Sequence, residues 1–408
     1  MRSLSDIQTD RKEISLKKKE TEQKNILFIS HEMDYTGAPR SLLRMCRVAR
    51  KLGYGVTVWS MRPGPFCSEY EAAGFDVEIV PIEKTVWPET AARVEAFDLA
   101  VCNTVITYAF ARLCSQRIPT VWYIREAANV REVLPDSPDM AYVLKHSRDI
   151  CCLSEYAAEA LRAYTKESVR VIHNCVEDES KLALPYTPGQ GEKVKFAQFG
   201  ALEKRKGCDV LLDAFLTMPE EYRARAELYF AGGVPQGGEE LAAAVICESA
   251  ASAGVHYLGT ITDARERIET LSQMDVIVVA SRDEACSLVA LEGAMLSRAL
   301  LVTENVGAKY RVSEENGFVV PAADVSALRR AMMDCIERQD ELAEMGKASR
   351  RAYETGADMG KYTREMKALF ARAEEKGSRS FEKERRRNIR VFSAGRMKVY
   401  RKLTRRFK

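Results

Sequence analysis

Residues 281–293 read SRDEACSLVALEG and place two acids, Glu284 and Glu292, with seven residues between them. The apolar run 275–280 (DVIVVA) comes directly before this segment, and an apolar, helix-forming stretch makes up its second half. An apolar run, a short polar turn and a helical stretch in this order predict a strand, a loop and a helix. The segment therefore predicts one βα unit, with the first acid in the loop and the second on the helix.

The predicted helix begins near Cys286 or Ser287. The first turn of a helix leaves backbone N–H groups without intrahelical partners, and these groups bind anions together with the helix dipole. Here they belong to Ser287, Leu288 and Val289. Acids beside an anion site suit hydroxyl groups of the ligand rather than the anion itself. The alternative is an ordinary helix cap, with Glu292 on the helix surface.

A second candidate phosphate site lies at 196–215, which reads FAQFGALEKRKGCDVLLDAF. An apolar strand is predicted to end at Gly200, and a helix is predicted to follow Gly207. Three cations stand between them, Lys204, Arg205 and Lys206. Cations between a strand end and a helix start suit a diphosphate, whereas the alternative is a solvated basic turn.

Apolar strand candidates alternate with helical patterns along the chain, whose 408 residues exceed the size of one ordinary domain. Continuous apolar strands between helices indicate parallel sheets that are covered on both faces. The Pro- and Gly-containing segment 180–192 divides the candidates into two series, which predicts two doubly wound α/β domains. The candidates are 25–30, 55–60, 76–81, 98–103, 120–125, 149–154 and 169–173, then 193–200, 226–232, 255–259, 275–281 and 299–304. Ligands of such folds bind beyond the carboxyl ends of the strands, where Gly37, Lys206 and Glu284 all fall.

Taken together, these segments resemble family 4 of the glycosyltransferases. The same resemblance is carried by 35–42 (YTGAPRSL), similar to the first glycine loop, by 170–178 (RVIHNCVED), and by 316–320 (NGFVV), similar to the NGxLV turn. It covers roughly residues 24–372. It implies a GT-B fold, that is, two Rossmann-like domains that face an interdomain cleft. It also implies a nucleotide-diphosphate sugar as co-substrate and transfer with retention at the anomeric carbon, with no metal or other cofactor.

The resemblance assigns roles to the residues of both motifs. Glu284 would hold the hydroxyls of the donor sugar, and Glu292 the hydroxyls of the ribose. Arg205, Lys206 and the N–H groups of 287–289 would stabilise the diphosphate leaving group, because fixed cations and dipoles are effective where negative charge develops. The loop with Gly37 would lie against the donor phosphates or the acceptor. An ordinary strand-to-helix connection explains that loop equally well, since helices accept a proline in their first turn.

Two positions depart from the family pattern. Many members carry a histidine in a sequence that resembles WYIHE, whereas 122–126 read WYIRE. Arg125 stays protonated and cannot act as a general base. We place it with Lys206 and Glu284 in the predicted catalytic group, where it would hold a phosphate or an acidic acceptor; the alternative is an ion pair with Glu126. The second departure is Ala201, where many members have an arginine.

The predicted organisation has five parts. A flexible charged extension (1–23) precedes an N-terminal Rossmann-like, acceptor-side domain (24–185) and a C-terminal nucleotide-sugar-binding domain (186–355). A helix at 356–375 is expected to pack back on the N-terminal domain, and a basic tail (376–408) follows. The tail carries a net charge of +12, and since the whole chain carries +3, the rest carries −9. The tail is also partly amphipathic. We therefore favour contact with an anionic membrane surface over a solvated tail, and expect no nucleic acid partner.

The eleven cysteines include no C-x-x-C pair, which favours free thiols in a reducing compartment. A thiol at the predicted helix start, Cys286, is either acidified or a small packing residue, and we favour packing. No apolar run approaches the ~20 residues of a membrane-spanning helix. A cytoplasmic protein is expected, peripheral on the inner face of the cell membrane.

The predicted function is a retaining, family 4-like hexosyltransferase. It would move a sugar from a nucleotide-diphosphate sugar to a glycan or lipid-linked acceptor in bacterial surface polysaccharide synthesis. Two alternatives remain: a non-catalytic binding or scaffold subunit, which Arg125 favours, and a nucleotide-sugar epimerase on the same fold. The presence of Lys206, Glu284 and Glu292 argues against a loss of activity.

Overall fold

The computed structural model describes residues 23–251 and 254–376. In this part of the chain two sheets form, and every strand pairing within them is parallel. The first sheet contains β1 (Asn25–Ser30), β2 (Gly55–Ser60), β3 (Val77–Ile79), β4 (Leu99–Asn103), β5 (Thr120–Tyr123), β6 (Ile150–Cys152) and β7 (Val169–Val171). The second contains β8 (Val194–Phe199), β9 (Ala226–Ala231), β10 (Val255–Tyr257), β11 (Val276–Val279), β12 (Ala299–Thr303) and β13 (Gly317–Val320).

Helices cover both sheets. In the first half they are α1 (Gly37–Lys51), α2 (Cys67–Ala72), α3 (Pro88–Val94), α4 (Tyr108–Ser115), α5 (Val130–Val133), α6 (Pro138–His146) and α7 (Glu155–Arg162). In the second half they are α8 (Cys208–Leu216), α9 (Glu220–Arg223), α10 (Glu239–Ala251), α11 (Ala264–Leu271), α12 (Leu288–Met295), α13 (Val325–Glu337), α14 (Leu342–Glu354) and α15 (Met359–Lys376). Because helices lie on both faces, the central strands β4, β11 and β12 are buried along their whole length.

The strand order is β3-β2-β1-β4-β5-β6-β7 in the first sheet and β10-β9-β8-β11-β12-β13 in the second. Each order reverses direction once, between β1 and β4 and between β8 and β11. Such a reversal opens a crevice at the carboxyl ends of the strands, and the loops after β1, β8 and β11 border it. This confirms the predicted fold class, two doubly wound parallel-sheet domains.

All twelve predicted strands are present, and their ends differ from the predicted ends by at most two residues. The NGFVV segment differs more. Only Asn316 lies in a turn, and Gly317–Val320 forms the edge strand β13, which pairs with β12 from Leu300 to Thr303. A Cβ atom at Gly317 would come within 1.8 Å of the Leu300 carbonyl oxygen, so this pairing requires glycine. The pairing with β12, and not the pattern of its own four residues, makes this segment a strand.

The last described helix, α15, crosses back to the first sheet. The Phe370 ring packs against Phe28 of β1, with 6.4 Å between the ring centroids, and against Tyr54 at 5.7 Å. Near its end, Glu374 forms an ion pair with Lys24 at 2.5 Å. The chain therefore crosses between the two sheets twice, and the two crossings lie side by side, since the Val176 N–H donates to the Ala357 carbonyl at 3.4 Å.

Candidate active site

A cavity of about 500 Å³ lies between the two domains, at the carboxyl ends of both sheets. We call it the first cavity. Seven predicted site residues line it: Gly37, Lys206, Glu284, Ser287, Leu288, Val289 and Glu292. A second cavity of about 220 Å³ shares four of these residues with the first, Gly37, Lys206, Glu284 and Leu288. The two remaining predicted residues, Arg125 and Arg205, line the second cavity alone. The structure thus brings all nine residues to two adjoining cavities.

The helix α12 begins where the sequence predicts an anion site. Ser287 is its N-cap, and the Ser287 hydroxyl accepts a hydrogen bond from the Ala290 N–H at 3.2 Å. Helix geometry leaves the N–H groups of Leu288 and Val289 without intrahelical acceptors, and both residues line the first cavity. The positive end of the helix dipole therefore borders this cavity.

The loop after β8 forms a short 3₁₀ turn at Lys204–Lys206 and packs closely against the end of β11. Gly207 follows with φ of 69°, and a Cβ atom there would come within 2.0 Å of the Ala280 carbonyl oxygen. Only glycine permits both this conformation and this close approach. The Arg282 N–H also donates to the Arg205 carbonyl at 2.8 Å. The basic loop and the acidic loop are thereby held together.

Across this junction Lys206 forms an ion pair with Glu284. The side chains are 24% and 14% exposed, so the pair is shielded from bulk water yet borders both cavities. The ammonium group of Lys206 has three donors, so it can contact an anion while it keeps Glu284 as a partner.

The second acid, Glu292, forms an ion pair with Arg267 on α11, and the two side chains are 6% and 16% exposed. The sequence reasoning did not identify Arg267. It also missed Arg40 and Arg44 of α1, which line the first cavity from the N-terminal domain. Burial, and then the charge of Arg267, lower the pKa of Arg40. Arg40 and Arg44 are four residues apart and so lie on one face of the predicted helix, and this spacing could have identified them as a pair of cations.

The charged residues that line the first cavity are Arg40, Arg44, Lys206, Arg267, Glu284 and Glu292. Four cations and two carboxylates give this part of the described structure a formal charge of +2. Together with the N-terminus of α12, the lining suits an anionic ligand that also carries hydroxyl groups.

Arg125 lies on the wall of the second cavity, and the terminal nitrogens of its guanidinium are buried. The Nε atom donates to Asn103, and the guanidinium carbon lies 4.7 Å from the centre of the Tyr123 ring. The two terminal nitrogens are buried and have no hydrogen-bond partner among the described residues. The alternative ion pair with Glu126 is not formed. One Glu126 carboxylate oxygen instead accepts the N–H groups of Val105 and Arg125, at 2.9 and 3.0 Å.

Arg205 also differs from expectation, because it faces the second cavity and makes bonds within its own domain. Its guanidinium donates to the Asp283 carbonyl at 3.2 Å and to the Glu203 carboxylate at 2.5 Å. Cys286 is buried, and burial, with a smaller effect of Glu284, raises the pKa of its thiol to about 12. The Cys286 thiol is therefore not acidified, in agreement with a packing role.

Two further properties concern the described residues alone. Within 23–251 and 254–376, no group of three or more His, Cys, Asp or Glu side chains is arranged to hold a metal ion. In the same ranges, no helix combines the length and the apolar character needed to cross a bilayer.

The comparisons with known proteins identify the chain as a glycosyltransferase, and its fold is of the GT-B type. Residues 22–177 match the model of "Glycosyl-transferase family 4", and residues 193–338 match the model of "Glycosyl transferases group 1". The chain belongs to these glycosyltransferases, which confirms the family resemblance of its motifs.

The individual relatives described next share less than a third of their aligned residues with this chain. The D-rhamnosyltransferase WbpZ of Pseudomonas aeruginosa is 29% identical over 164 residues, which is 39% of this chain and 40% of WbpZ. The match thus spans well under half of that relative. Anabaena Alr3699/HepE, solved with UDP and with UDP-glucose, has a TM-score of 0.73 in both complexes. In the UDP complex the identity is 15%, over 85% of this chain and all of that one. WaaG, a glycosyltransferase involved in lipopolysaccharide biosynthesis, has a TM-score of 0.67 at 14% identity, over 84% of this chain and 99% of WaaG.

Proposed function

We propose that this glycosyltransferase transfers a hexose, with retention at the anomeric carbon, from a nucleotide-diphosphate sugar to a glycan or lipid-linked acceptor. The observation that carries the proposal is the lining of the first cavity. Its formal charge of +2 and the N-terminus of α12 complement the negative charge of a diphosphate, while two carboxylates can accept hydroxyl groups.

In this proposal the donor lies with its diphosphate between Lys206 and the start of α12. Glu284 accepts hydrogen bonds from the sugar hydroxyls, and Glu292 accepts them from the ribose. As the bond between the sugar and the diphosphate breaks, negative charge grows on the leaving group. Lys206 and the N–H groups of Leu288 and Val289, which line the first cavity, would stabilise that charge, and preorganised groups of this kind usually make the largest contribution to catalysis.

The N-terminal domain adds cations that the sequence reasoning did not include. Arg40 and Arg44 belong to α1, whereas Lys206 and Arg267 belong to the C-terminal domain. A diphosphate between them would be attracted to both domains at once. Donor binding would therefore favour a closed cleft, which excludes water from the reacting bond.

The second cavity is the proposed place of the acceptor group. It adjoins the first cavity at Lys206 and Glu284, and its volume is about 220 Å³. Because the terminal nitrogens of Arg125 are buried, we revise its role from direct contact to support of the cavity wall through Asn103.

Relatives support the biological setting of the proposal. HepE binds UDP and UDP-glucose, WaaG takes part in lipopolysaccharide biosynthesis, and WbpZ is a D-rhamnosyltransferase. We accordingly place this enzyme in bacterial surface polysaccharide synthesis, in the cytoplasm and peripheral to the inner face of the cell membrane. The membrane contact would come from the basic tail, of which 377–408 lie outside the described residues.

Thermal unfolding with a panel of nucleotides tests the donor. UDP, GDP, dTDP and ADP, each alone and as the glucose conjugate, are added to the protein at equal concentration. A ligand at about 100 times its Kd stabilises the native state by about 2.7 kcal/mol, which raises the melting temperature. We expect one base to be preferred, and the products of turnover to include the free nucleoside diphosphate. No shift with any nucleotide would contradict the proposal.

A further inference from the structure

Asp283 comes directly before Glu284, and its side chain contacts the opposite domain. One carboxylate oxygen accepts the Ala128 N–H at 3.0 Å and the Tyr156 hydroxyl at 2.9 Å. The other oxygen accepts the Asn129 N–H at 3.0 Å. All three donors belong to the N-terminal domain, whereas Asp283 follows β11 of the C-terminal domain.

The three hydrogen bonds to Asp283 connect the two domains. Hydrogen bonds to an ionised carboxylate are stronger than those between neutral groups, and three of them converge on one side chain. Burial, and then the neighbouring Asp283, raise the pKa of Tyr156, so its hydroxyl keeps its proton and donates. A second link lies two residues further on, where the Ser154 hydroxyl donates to the Ala285 carbonyl at 2.7 Å.

The segment around Glu284 is fixed to its own domain as well. The Glu284 N–H donates to the Asn305 carbonyl at 3.1 Å, and the Glu284 carbonyl accepts the Gly307 N–H at 2.7 Å. Its side chain extends into the cavities, beside Lys206. Residues 283–285 are thus bonded to both domains, and the position of Glu284 depends on how the domains meet.

We propose that Asp283 is a positioning residue, whose three hydrogen bonds hold the cleft closed and set Glu284 in place against the donor sugar. The inference rests on the proposed function of Glu284. Both carboxylate oxygens of Asp283 accept hydrogen bonds from the N-terminal domain. Asp283 would therefore act through Glu284 and not through a contact with the donor. Through Asp283, the loop after β11 couples closure of the two domains to the position of Glu284.

Hydrogen exchange tests the connection without substrate. In the wild type, the Asp283 carboxylate should protect the amides of Ala128 and Asn129. In Asp283→Ala, exchange in a peptide that spans 126–131 should accelerate, while a peptide from β4 should be unchanged. Glu155→Gln is the matched control, since Glu155 precedes Tyr156 but pairs with the exposed Arg162. Unchanged exchange at 126–131 in Asp283→Ala would overturn the proposal.

Steady-state kinetics test the positioning role. Asp283→Ala should lower kcat on the order of a hundredfold, as small misplacements of a reacting group do, with little change in the donor KM. Asp283→Asn retains one acceptor oxygen and should be intermediate, and Tyr156→Phe, which loses one bond of three, should be affected least. Poor closure should also raise the share of donor that is hydrolysed by water.

The outcomes separate this inference from the proposed function. Faster exchange together with normal kcat and normal hydrolysis would show a contact without a positioning role, and would overturn the inference. A wild-type protein that binds no nucleotide would contradict the proposed function, and the positioning role would fall with it, while the exchange data would still establish the interdomain contact. Circular dichroism and melting curves of each variant identify any loss of activity that comes from unfolding.

Discussion

The ammonium group of Lys206 lies against the carboxylate of Glu284, and this pair joins the loop after β8 to the loop after β11. Both side chains border the first and second cavities. Each neutralises the other while no donor is present, so neither carries the desolvation cost of an isolated charge. A donor that brings a phosphate to Lys206 and hydroxyls to Glu284 adds partners to both.

Lys206→Ala and Glu284→Ala should each reduce transfer on the order of a hundredfold or more, because each removes an electrostatic group directed at the reacting diphosphate or sugar. The measurement is the initial rate of transfer at saturating donor. Lys204→Ala is the matched control, since Lys204 lies in the same 3₁₀ turn but borders neither cavity. Near-normal rates for Lys206→Ala or Glu284→Ala would refute the site assignment.

Arg267→Met should weaken both the fold and nucleotide binding. It leaves Glu292 as a buried charge without its partner, and breaking a buried ion pair in this way costs about 3–5 kcal/mol. Calorimetric titration with the preferred nucleoside diphosphate measures affinity, and denaturant unfolding measures stability. Arg265→Met on the same helix removes an exposed ion pair with Glu269 and should change neither. Equal affinities of the wild type and Arg267→Met would exclude a role for Arg267 in the donor site.

Cys286 should resist alkylation in the native protein, because it is buried and the pKa of its thiol is raised to about 12. Cys247, which is exposed, should react first. The test is iodoacetamide treatment at neutral pH, followed by mass spectrometry of the peptides, with protein unfolded in guanidinium as the fully reactive control. Cys286 labelled as fast as Cys247 would support the acidified thiol instead of packing.

Transfer should continue in excess EDTA. Lys206, Arg40, Arg44 and Arg267 and the N-terminus of α12 would provide the positive charge that a divalent ion supplies in other enzymes. Initial rates are compared with EDTA, with EDTA plus an excess of magnesium, and with manganese. Activity that is lost with EDTA and restored by either metal would show that these groups are not sufficient.

Deletion of 377–408 should leave nucleotide affinity unchanged and weaken binding to anionic vesicles. The deletion follows α15, whose ring contacts with Phe28 and Tyr54 stay in place. Thirteen Lys or Arg are removed, and each contributes roughly 1 kcal/mol near an anionic surface. Vesicle co-sedimentation should therefore differ strongly at low salt and less at high salt. Equal sedimentation of both forms at low salt would exclude the membrane interpretation.

A variant of the tail separates charge from apolar insertion. Replacement of Ile389, Phe392 and Phe407 by serine keeps every charge of the tail. We expect it to retain the salt-sensitive part of vesicle binding and to lose the part that persists at high salt. If the full-length protein binds RNA and the protein without 377–408 does not, the tail has a nucleic acid partner.

The elements of the fold and the position of the site could be predicted because their signals are local. An apolar strand, a loop and a helix of one βα unit lie within about twenty residues, as at 275–293. The local sequence pattern therefore predicts their order. The start of α12 was predicted to within two residues for this reason, and parallel strands then bring the loop ends to one edge of each sheet. The short strand β13 was missed because its pairing with β12, and not its own pattern, makes it a strand.

The partners of the site residues were decided by the tertiary structure alone. Arg267 meets Glu292, and Asp283 meets Ala128, across separations that no local pattern reports. Arg125 shows the same limit. Its residue type predicts a contact with an anion, but its guanidinium packs near Tyr123 and Asn103 and its terminal nitrogens are buried. The sequence determined that the loops after β8 and β11, with Lys206 and Glu284, reach the cleft, because that follows from the ends of parallel strands. Which groups face each other there depends on how distant elements pack, within one domain for Arg267 and Glu292 and between the domains for Asp283 and Ala128, and only the folded chain fixes those distances.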